Sequence, residues 1–497
     1  MHQQNTESIL IGWGERDVTP DKSVVLCGGS QGISKGVGDP LIVTAIAITA
    51  ADSGDCMVFV SCDRVHVPGD ILARCRKSIK TKVPELDPQK IILNATHSHT
   101  APHIIQRVLP PVPEDVMSPD EYADFFVDRV TDAVAEAWAN RQPAGIAYGL
   151  SYAVIGHNRR IALADGMRKM YATTNDPLFS HIEGYEDHSV DLLFTWDDKN
   201  DLTGIVINIA CPSQETESDH YVSADFWHEI REEVRSKFGK NLFILSQCAP
   251  AGDQSPHRMI CAQYGCGTDS AAPSRMLDLK GITMRREIAR RVTSAIEDVL
   301  PHVKKDIQRK VVFKHIFKTI DLPRRLVSEE VYVKAKAYYK EYEQKKPVSF
   351  DEKRKRLWGM RRYGRLIKRY EEQDSSPLLP MELHVVRLGD IAFATNCFEL
   401  FLDFGIQIKA RSRAIQTFPV QLCAGGPGWW YASGSGGYLP TLRAVKGCLA
   451  ETEADSLDDG SPSAGRRGYG AGVACIVGPE GGQVIVEETL KDIEKLW

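Results

Sequence analysis

The sequence lacks the features that would assign it to a membrane, secreted or nucleic-acid-binding class. No apolar run approaches the ~20 residues that a membrane-spanning helix needs. Residues 1–7 have neither the basic start nor the apolar stretch of a secretory signal, so we expect none. The 12 cysteines form no CxxC pair, and the net charge of −5 provides no basic surface typical of nucleic-acid binding. We also find no internal repeat.

What remains is the composition of an ordinary globular protein. The 497 residues are 43% hydrophobic and 26% charged, enough to bury a large core. The scattered cysteines read as mostly free thiols of a reducing compartment, so we predict a cytoplasmic protein. We expect a small-molecule substrate as partner, with no nucleic acid and no stable membrane association. The sequence leaves the oligomeric state open.

Alternating strand and helix patterns predict an α/β protein. Short β-branched runs bounded by glycine, proline or aspartate are typical of strands, and longer runs with helical periodicity follow them. We predict mixed sheets packed with helices in a layered sandwich. The predicted strands cover residues 8–13, 41–50, 56–62, 90–93, 145–155, 190–196, 203–210, 242–246, 383–387 and 391–395. The predicted helices cover residues 119–141, 223–238, 399–411 and 484–497.

Residues 327–372 differ in character from the rest of the chain. They are rich in Lys, Arg, Glu and Tyr and poor in glycine. This composition predicts a charged helical hairpin, inserted in the main domain or lying over it as a lid. A solvated hairpin with no role in the chemistry is the more economical interpretation.

The strongest local signal is a loop with three histidines within seven residues. His97, His99 and His103 directly follow the apolar run at residues 90–93. If the segment is extended, residues i and i+2 point to the same side, so His97 and His99 converge. Neutral imidazole is the commonest metal ligand and a frequent general acid or base. A surface loop that happens to be rich in histidine is the alternative.

Other groups that could carry chemistry also follow predicted strands. Ser255 is a possible nucleophile but lacks the Gly-x-Ser-x-Gly setting, and a Gly-Asp turn explains its motif as well. Glu399 is predicted to begin a helix, where a carboxylate usually only complements the helix dipole. Tyr438 and Tyr469 lie in a glycine-rich stretch, and loop tyrosines are most often packing residues.

In order along the chain, these motifs resemble the catalytic domain of neutral/alkaline, non-lysosomal ceramidases. The resemblance runs from residue 11 to the final predicted helix, and the family hallmark Thr-His-Thr-His-Ser-Gly-Pro is matched by residues 96–102. On this basis residues 1–497 form a single ceramidase-like catalytic domain. The other matching segments are Gly12-Trp13-Gly14-Glu15-Arg16-Asp17-Val18-Thr19-Pro20, Val60-Ser61-Cys62-Asp63, Asn158-Arg159-Arg160, Gly252-Asp253-Gln254-Ser255-Pro256, Phe398-Glu399, Tyr438-Leu439-Pro440-Thr441 and Gly468-Tyr469-Gly470-Ala471.

The resemblance implies a zinc amidohydrolase. It assigns His97, Glu399 and Tyr438 as zinc ligands and His99 as a proton carrier or ligand orienter beside the metal. It places Arg159, Ser255 and Tyr469 along the site near the scissile carbonyl. Zinc accepts nitrogen, oxygen and sulfur donors, and a metal-activated water would be the nucleophile. A serine acyl-enzyme on Ser255 is the competing mechanism.

One ligand of the family is missing. The second zinc histidine of the family falls at Cys211, and a thiolate is a good zinc ligand, so Cys211 is predicted to replace it. Alternatively His99 fills the position, or Asp225 and His228 contribute from one helix face. Cys211 as a small buried hydrophobe is the plainest reading.

The substrate is predicted to differ from ceramide. The chain lacks the C-terminal β-sandwich domain of the true ceramidases and shows no apolar stripe for docking on a membrane. We therefore expect hydrolysis of an amide bond in a small, soluble N-acyl compound. Trp429, Trp430 and Tyr431 could stack on a sugar or acyl group, or pack together. A metal-dependent lyase or isomerase acting on a sugar-like substrate, and a degenerate binding protein, are the alternatives.

Overall fold

The computed structural model describes residues 6–28, 32–172, 174–259, 279–426, 436–447, 466–467, 470–472 and 475–497. In this part of the chain the strands are β1 (Glu7–Asp17), β2 (Ile42–Ala50), β3 (Cys56–Cys62), β4 (Ile91–Ala95), β5 (Gln142–Tyr152), β6 (His157–Asn158), β7 (Arg160–Leu163), β8 (Arg168–Met170), β9 (Phe179–Ile182), β10 (Ser189–Trp196), β11 (Leu202–Ile209), β12 (Phe243–Cys248), β13 (Gln254–Ser255), β14 (Lys310–Val311), β15 (Phe313–Pro323), β16 (Leu378–Leu388), β17 (Ile391–Thr395), β18 (Glu399–Leu400), β19 (Gln416–Val420), β20 (Tyr438–Leu439) and β21 (Arg466–Arg467). The helices are α1 (Gly69–Lys82), α2 (Pro119–Ala139), α3 (Phe226–Phe238), α4 (Ile282–Val303), α5 (Glu329–Gln344), α6 (Phe350–Glu372), α7 (Leu402–Arg411), α8 (Leu442–Lys446) and α9 (Gly481–Leu496).

The largest sheet has the order β12-β11-β10-β5-β1-β2-β3-β4, with β14 also paired to β1. Most neighbours are antiparallel, but β3–β4 and β11–β12 are parallel pairs at the two ends of this order. Every residue of β3 and β4 is buried. This explains why these strands are continuous apolar runs rather than alternating ones, since a sheet covered on both faces buries both sets of side chains.

A second sheet, β15-β16-β17-β19, packs face to face with the first. Apolar side chains from both sheets form one buried cluster between them, with Phe59 from the first sheet tilted against Phe393 of the second at a ring separation of 6.0 Å. Burial of this shared face removes apolar surface from water, which is the main favourable contribution to the packing of two sheets.

Helices cover the outer face of each sheet. The helices α1 and α2 share one buried cluster with β2, β3 and β4, and α3 and α4 share another with β5, β10 and β11. On the far side, α7 and α9 pack on the second sheet. Ser118 caps α2 by accepting from the Glu121 amide, and Pro119 occupies the first helical position. The α/β layered sandwich predicted from the sequence is confirmed.

The structure corrects the predicted helix that begins at Glu399. Glu399 and Leu400 form the short strand β18, and the helix starts at Leu402. The reason is a non-local hydrogen bond, because the amide of Glu399 donates to the carbonyl of Gly437 at 2.9 Å. The residues near Glu399 in the sequence do not indicate this hydrogen bond. The prediction also missed α1 and α4, both amphipathic helices on the outside of the first sheet.

The charged stretch at residues 327–372 folds into the helical hairpin α5–α6. It has a small cluster of its own, built on Val331, Ala335, Tyr363 and Leu366. Ser349 caps α6 in a reciprocal capping box with Glu352. Among the described residues no helix is long and apolar enough to cross a membrane.

Candidate active site

The two edges of the large sheet meet where the predicted site residues lie. Ser61, at the end of β3, donates to the carbonyl of Ser246 in β12 at 2.6 Å, and Asn94 of β4 donates to the same carbonyl at 3.1 Å. The sheet therefore curls so that the loops after β4, β11 and β12 face one another. Residues that are distant in sequence converge there because the strand ends carry them to one place.

His97 is held by backbone contacts in an unusual conformation. Its φ of 68° lies in the left-handed region, which a non-glycine residue rarely adopts. Its amide donates to the carbonyl of Arg64 at 2.9 Å, and its Nδ1 donates to the carbonyl of Val65 at 2.9 Å. The expected extended geometry is therefore wrong for His97. The Nδ1 bond fixes the tautomer, and Nε2 keeps its lone pair, as in histidines that bind metals.

His99 does converge with His97, as predicted. The two Nε2 atoms are 3.2 Å apart. The side chain of Gln214 donates to His99 Nε2 at 2.7 Å, while its oxygen accepts from Arg159 at 3.3 Å, so the amide orientation is determined. His99 Nδ1 lies 3.3 Å from the carboxylate of Glu217. In this arrangement His99 Nε2 accepts from Gln214, and the lone pair of His97 Nε2 is left without a donor from His99.

Glu399 and Tyr438 are brought side by side by a two-stranded parallel pairing. They are direct partners in the β18–β20 register, and Glu399 Oε2 lies 3.6 Å from His97 Nε2. Gly252 packs beneath this pairing. A Cβ added there would lie 2.2 Å from the carbonyl oxygen of Glu399, so only glycine fits.

Arg159 connects several of these groups. It is 1% exposed and donates to the carbonyl of Gly252 at 2.8 Å and to the hydroxyl of Tyr438 at 3.2 Å. It also contacts the hydroxyl of Tyr171 and lies over the Tyr171 ring, 4.8 Å from its centroid. A buried guanidinium with this many acceptors is rigidly oriented, which suits the positioning of a polar substrate group.

Burial controls the charge of the site. It lowers the pKa of His97, which Glu399 partly offsets, and it lowers the pKa of His99 well below the ordinary value, with His97 and Arg159 adding to the effect. Both imidazoles are therefore neutral near pH 7. Burial also raises the pKa of Glu217 to about 7. The site presents lone pairs and a carboxylate, with positive charge only on Arg159.

Cys211 lies in a different environment. It is fully buried in the cluster that α3 and α4 share with the large sheet, and its thiol is 3.5 Å from the carbonyl of Pro212. Burial raises its pKa well above the ordinary value, with Cys248 next in effect. In the described part of the chain, no hydrogen bond or ion pair joins Cys211 to His97, Glu399 or Tyr438. Its role as a ligand stays a prediction.

Ser255 is fully buried in the short strand β13. Its hydroxyl accepts from the backbone amide of His257 at 3.1 Å. The His257 ring is occupied elsewhere, with Nε2 2.9 Å from the carbonyl of Gln214 and Nδ1 3.6 Å from Glu215.

The alternative ligands Asp225 and His228 stay predictions. Asp225 caps α3, and its carboxylate accepts from the amides of Glu215 and Thr216. Tyr469 and the aromatic residues 429–431 lie outside the described residues.

Sequence reasoning missed three side chains that contact the predicted ones. They are Tyr171 and Gln214, which accept from Arg159, and Glu217, which lies against His99. Gln214 and Glu217 stand three and six positions after Cys211, in the segment that the sequence analysis searched only for a metal ligand. Their type carries no signal by itself, since surface Gln and Glu are common.

Comparison with solved structures identifies the fold. The chain resembles the crystal structure of neutral ceramidase from Pseudomonas aeruginosa with a TM-score of 0.65 at 16% identity, covering 98% of this chain and 75% of that chain. It resembles a ceramidase complexed with C2 with a TM-score of 0.66 at 14% identity, covering 99% of this chain and 75% of that one. No protein-family model and no curated protein matches the sequence. The chain thus has a neutral ceramidase-like α/β fold.

Proposed function

We propose that this protein is a zinc-dependent hydrolase that cleaves the amide bond of a small, soluble N-acyl substrate. The observation that carries the proposal is the meeting of His97 Nε2 with His99 Nε2 at 3.2 Å and with Glu399 Oε2 at 3.6 Å. His97 Nε2 and Glu399 Oε2 both offer electron pairs and have no hydrogen between them, so they repel unless a cation lies between them. The ceramidase-like fold supports an amide as the bond that is cleaved.

The donor set fits zinc in chemistry and spacing. Two atoms bound tetrahedrally at ~2.0–2.1 Å are ~3.3 Å apart, close to the 3.6 Å between His97 Nε2 and Glu399 Oε2. In the described residues no three His, Cys, Asp or Glu side chains form a ready-made metal centre. The proposed set therefore needs a tyrosine, and consists of His97, Glu399 and Tyr438. Three protein ligands and an open position are typical of catalytic zinc, so this set needs no replacement for the lost histidine.

The residues of the chain supply the remaining functions. Arg159 donates to the Tyr438 oxygen, which favours negative charge on that oxygen, and it holds Gln214 against His99. His99, neutral and with its Nδ1 3.3 Å from the Glu217 carboxylate, is the group suited to move a proton between water and the leaving amine. Bound at this site, zinc would supply a Lewis acid for the amide carbonyl and lower the pKa of water to ~7.

A metal-activated water is favoured over a serine acyl-enzyme. A serine nucleophile needs a base within hydrogen-bond reach, and the described contact of Ser255 is a backbone amide donor. We assign Ser255 to substrate positioning instead. Tyr469 completes the proposed set of site residues, on the basis of its motif alone.

The test is elemental analysis joined to an activity screen. Wild-type protein is expected to hold about one zinc per chain, and His97→Ala and Glu399→Gln are expected to lose it. The same proteins are then assayed on N-acyl compounds in water enriched in heavy oxygen. Incorporation of solvent oxygen into the acid product identifies hydrolysis, whereas a lyase or isomerase incorporates none. Well-folded wild-type protein without metal would overturn the proposal.

A further inference from the structure

Arg64 is a buried cation that has no counter-ion among the described residues. It is 1% exposed, its Nε donates to the carbonyl of His66 at 2.6 Å, and its guanidinium lies over the Phe126 ring. Its NH1 and NH2 groups have no hydrogen-bond partner among the described residues. The carboxylate of the adjacent Asp63 accepts hydrogen bonds of 2.7 and 2.9 Å from Arg231. Burying an unpaired charge costs several kcal/mol, so this arrangement calls for an anion.

The helical hairpin brings more positive charge to the same place. Arg354 and Arg361 are two turns apart in α6 and so share one face of the helix. Arg361 donates to the carbonyl of Val108 at 3.4 Å, which fixes this face against the loop that contains His103. Arg354 forms an ion pair at 3.5 Å with Asp351, three positions earlier in the same helix.

The pKa of His103 depends on these arginines. Burial lowers its pKa to about 3, and the charges that contribute are those of Arg354, Arg64 and Arg361, with no acidic residue among them. The positive charges of Arg64 and of the hairpin both act on His103, which lies in the loop that Arg361 contacts. We call this set, Arg64, His66, His103, Arg354 and Arg361, the basic cluster.

The basic cluster adjoins the candidate active site. The carbonyls of Arg64 and Val65 accept the two hydrogen bonds that hold His97. Arg64 is therefore joined through its own backbone to the loop that carries His97.

We propose that the basic cluster binds an oxyanion of the substrate, a carboxylate or a phosphate, so that the hydrolysed compound is an anionic N-acyl molecule. This inference rests on the proposed function for the identity of the scissile bond. Guanidinium groups bind both oxyanions through paired hydrogen bonds, and Arg64 offers two unpartnered NH groups. The positive charge of the basic cluster would hold the anionic end of the substrate while the scissile amide lies at His97 and Glu399. The hairpin would thereby take part in substrate recognition.

Binding of inorganic phosphate and of acetate tests the cluster directly. Titration calorimetry on the full-length protein at constant ionic strength, before and after treatment with a chelator, is expected to give saturable binding in both states. Arg361→Gln should weaken binding ~10-fold or more, equivalent to ~1.4 kcal/mol. Arg64→Met should abolish it. Arg356→Gln is the matched control, since Arg356 lies on the same helix but donates to the carbonyls of Tyr342 and Glu343. It should bind within twofold of wild type.

The outcomes separate this inference from the proposed function. Equal anion affinity in wild type, Arg361→Gln and Arg356→Gln would overturn the basic cluster as an anion site, as would binding that disappears with the metal. If Arg64→Met fails to fold, Arg361→Gln decides. Loss of anion binding in the variants together with no hydrolysis of any N-acyl compound would refute the hydrolase and leave the anion site standing. A wild type that hydrolyses N-acyl carboxamides as fast as N-acyl carboxylates would also contradict the substrate class.

Discussion

Two groups in this molecule contain the same residues at nearly the same distances. In the candidate site, His97 and His99 are 3.2 Å apart and Glu399 is 3.6 Å from His97. In the second sheet, His315 and His384 are 3.0 Å apart and Glu382 is 3.7 Å from His384. We call the first the histidine site and the second, together with Arg76, the sheet network. Both are largely buried.

The two groups differ in how their lone pairs are satisfied. In the sheet network, His315 Nδ1 donates to the carbonyl of Cys56, and His384 Nδ1 donates to His315 Nε2. Glu382 accepts two hydrogen bonds of 2.9 Å from Arg76. Arg76 thus supplies the positive charge that balances the Glu382 carboxylate.

In the histidine site the two Nε2 atoms face each other. Within the described residues, Glu399 has no arginine or lysine partner, and its one ion-pair contact is neutral His97. Distance alone does not separate a structural cluster from a ligand site; the balance of donors and acceptors does.

The sharpest test of this difference replaces the carboxylate in each group. Glu399→Gln and His97→Ala should lose zinc and reduce amide hydrolysis to background, because they remove ligands that the protein cannot replace. Glu382→Gln should keep the full metal content and most of the activity. Metal analysis and steady-state kinetics on the same preparations check this. Equal metal loss in Glu382→Gln and Glu399→Gln would break the distinction.

A smaller effect is expected at Arg159, a buried cation beside the histidine site. Arg159→Lys keeps the charge but cannot make the hydrogen bonds to Gly252, Gln214 and Tyr438 together. We expect kcat/KM to fall ~10²–10³-fold, the range for removal of an oriented donor at a developing charge. Zinc content should be retained. A change of less than fivefold would show that Arg159 serves the fold rather than the reaction.

Stability should respond in opposite directions in the two groups when metal is absent. Glu382→Gln weakens its hydrogen bonds to Arg76, so we expect the free energy of unfolding to drop by roughly 1.5–3 kcal/mol. Glu399→Gln removes a carboxylate that faces lone pairs, so the metal-free protein should be equally or more stable. Urea denaturation in the presence of a chelator measures both. Destabilisation of the metal-free protein by Glu399→Gln would argue that its carboxylate is satisfied without a metal.

Glu215, beside the site, predicts a pH effect that needs no metal. Burial raises its pKa from 4.5 to about 8 in the folded chain. Between those values the folded state holds a proton that the unfolded state releases, so the free energy of unfolding falls as pH rises through this window. Glu215→Gln should flatten that slope by more than ~1 kcal/mol between pH 5 and 8. Exposed Glu232 provides the matched control, Glu232→Gln, which should leave the slope unchanged.

The smallest effect is expected at Cys211. Its thiol lies in the core and its pKa is raised, so with a three-ligand set Cys211→Ser should change zinc affinity less than twofold. Competition with a fluorescent chelator measures this. A loss of 100-fold or more would instead support the ligand role that the sequence predicts for Cys211.

Much of the layered fold was predictable because the apolar runs are long and clearly bounded. The strand β3 matches its prediction at both ends, as does β17, since each is a buried run bounded by clear turn signals. Glu399 was misassigned because its strand exists only through pairing with residues almost forty positions away. The convergence of His97 and His99 was predicted, but through an extended geometry that the φ of His97 excludes.

The sequence by itself determined which chemistry is available: two neighbouring histidines, a glutamate and a tyrosine in the order that a metal site requires, and an arginine-rich hairpin. Only the tertiary structure decided which of them meet. The hydrogen-bond partner of one ring nitrogen of a histidine decides whether the other nitrogen offers a lone pair. The strand end that lies beside an arginine decides whether that arginine is paired. Both are set by contacts between distant segments, and local sequence preferences do not encode them.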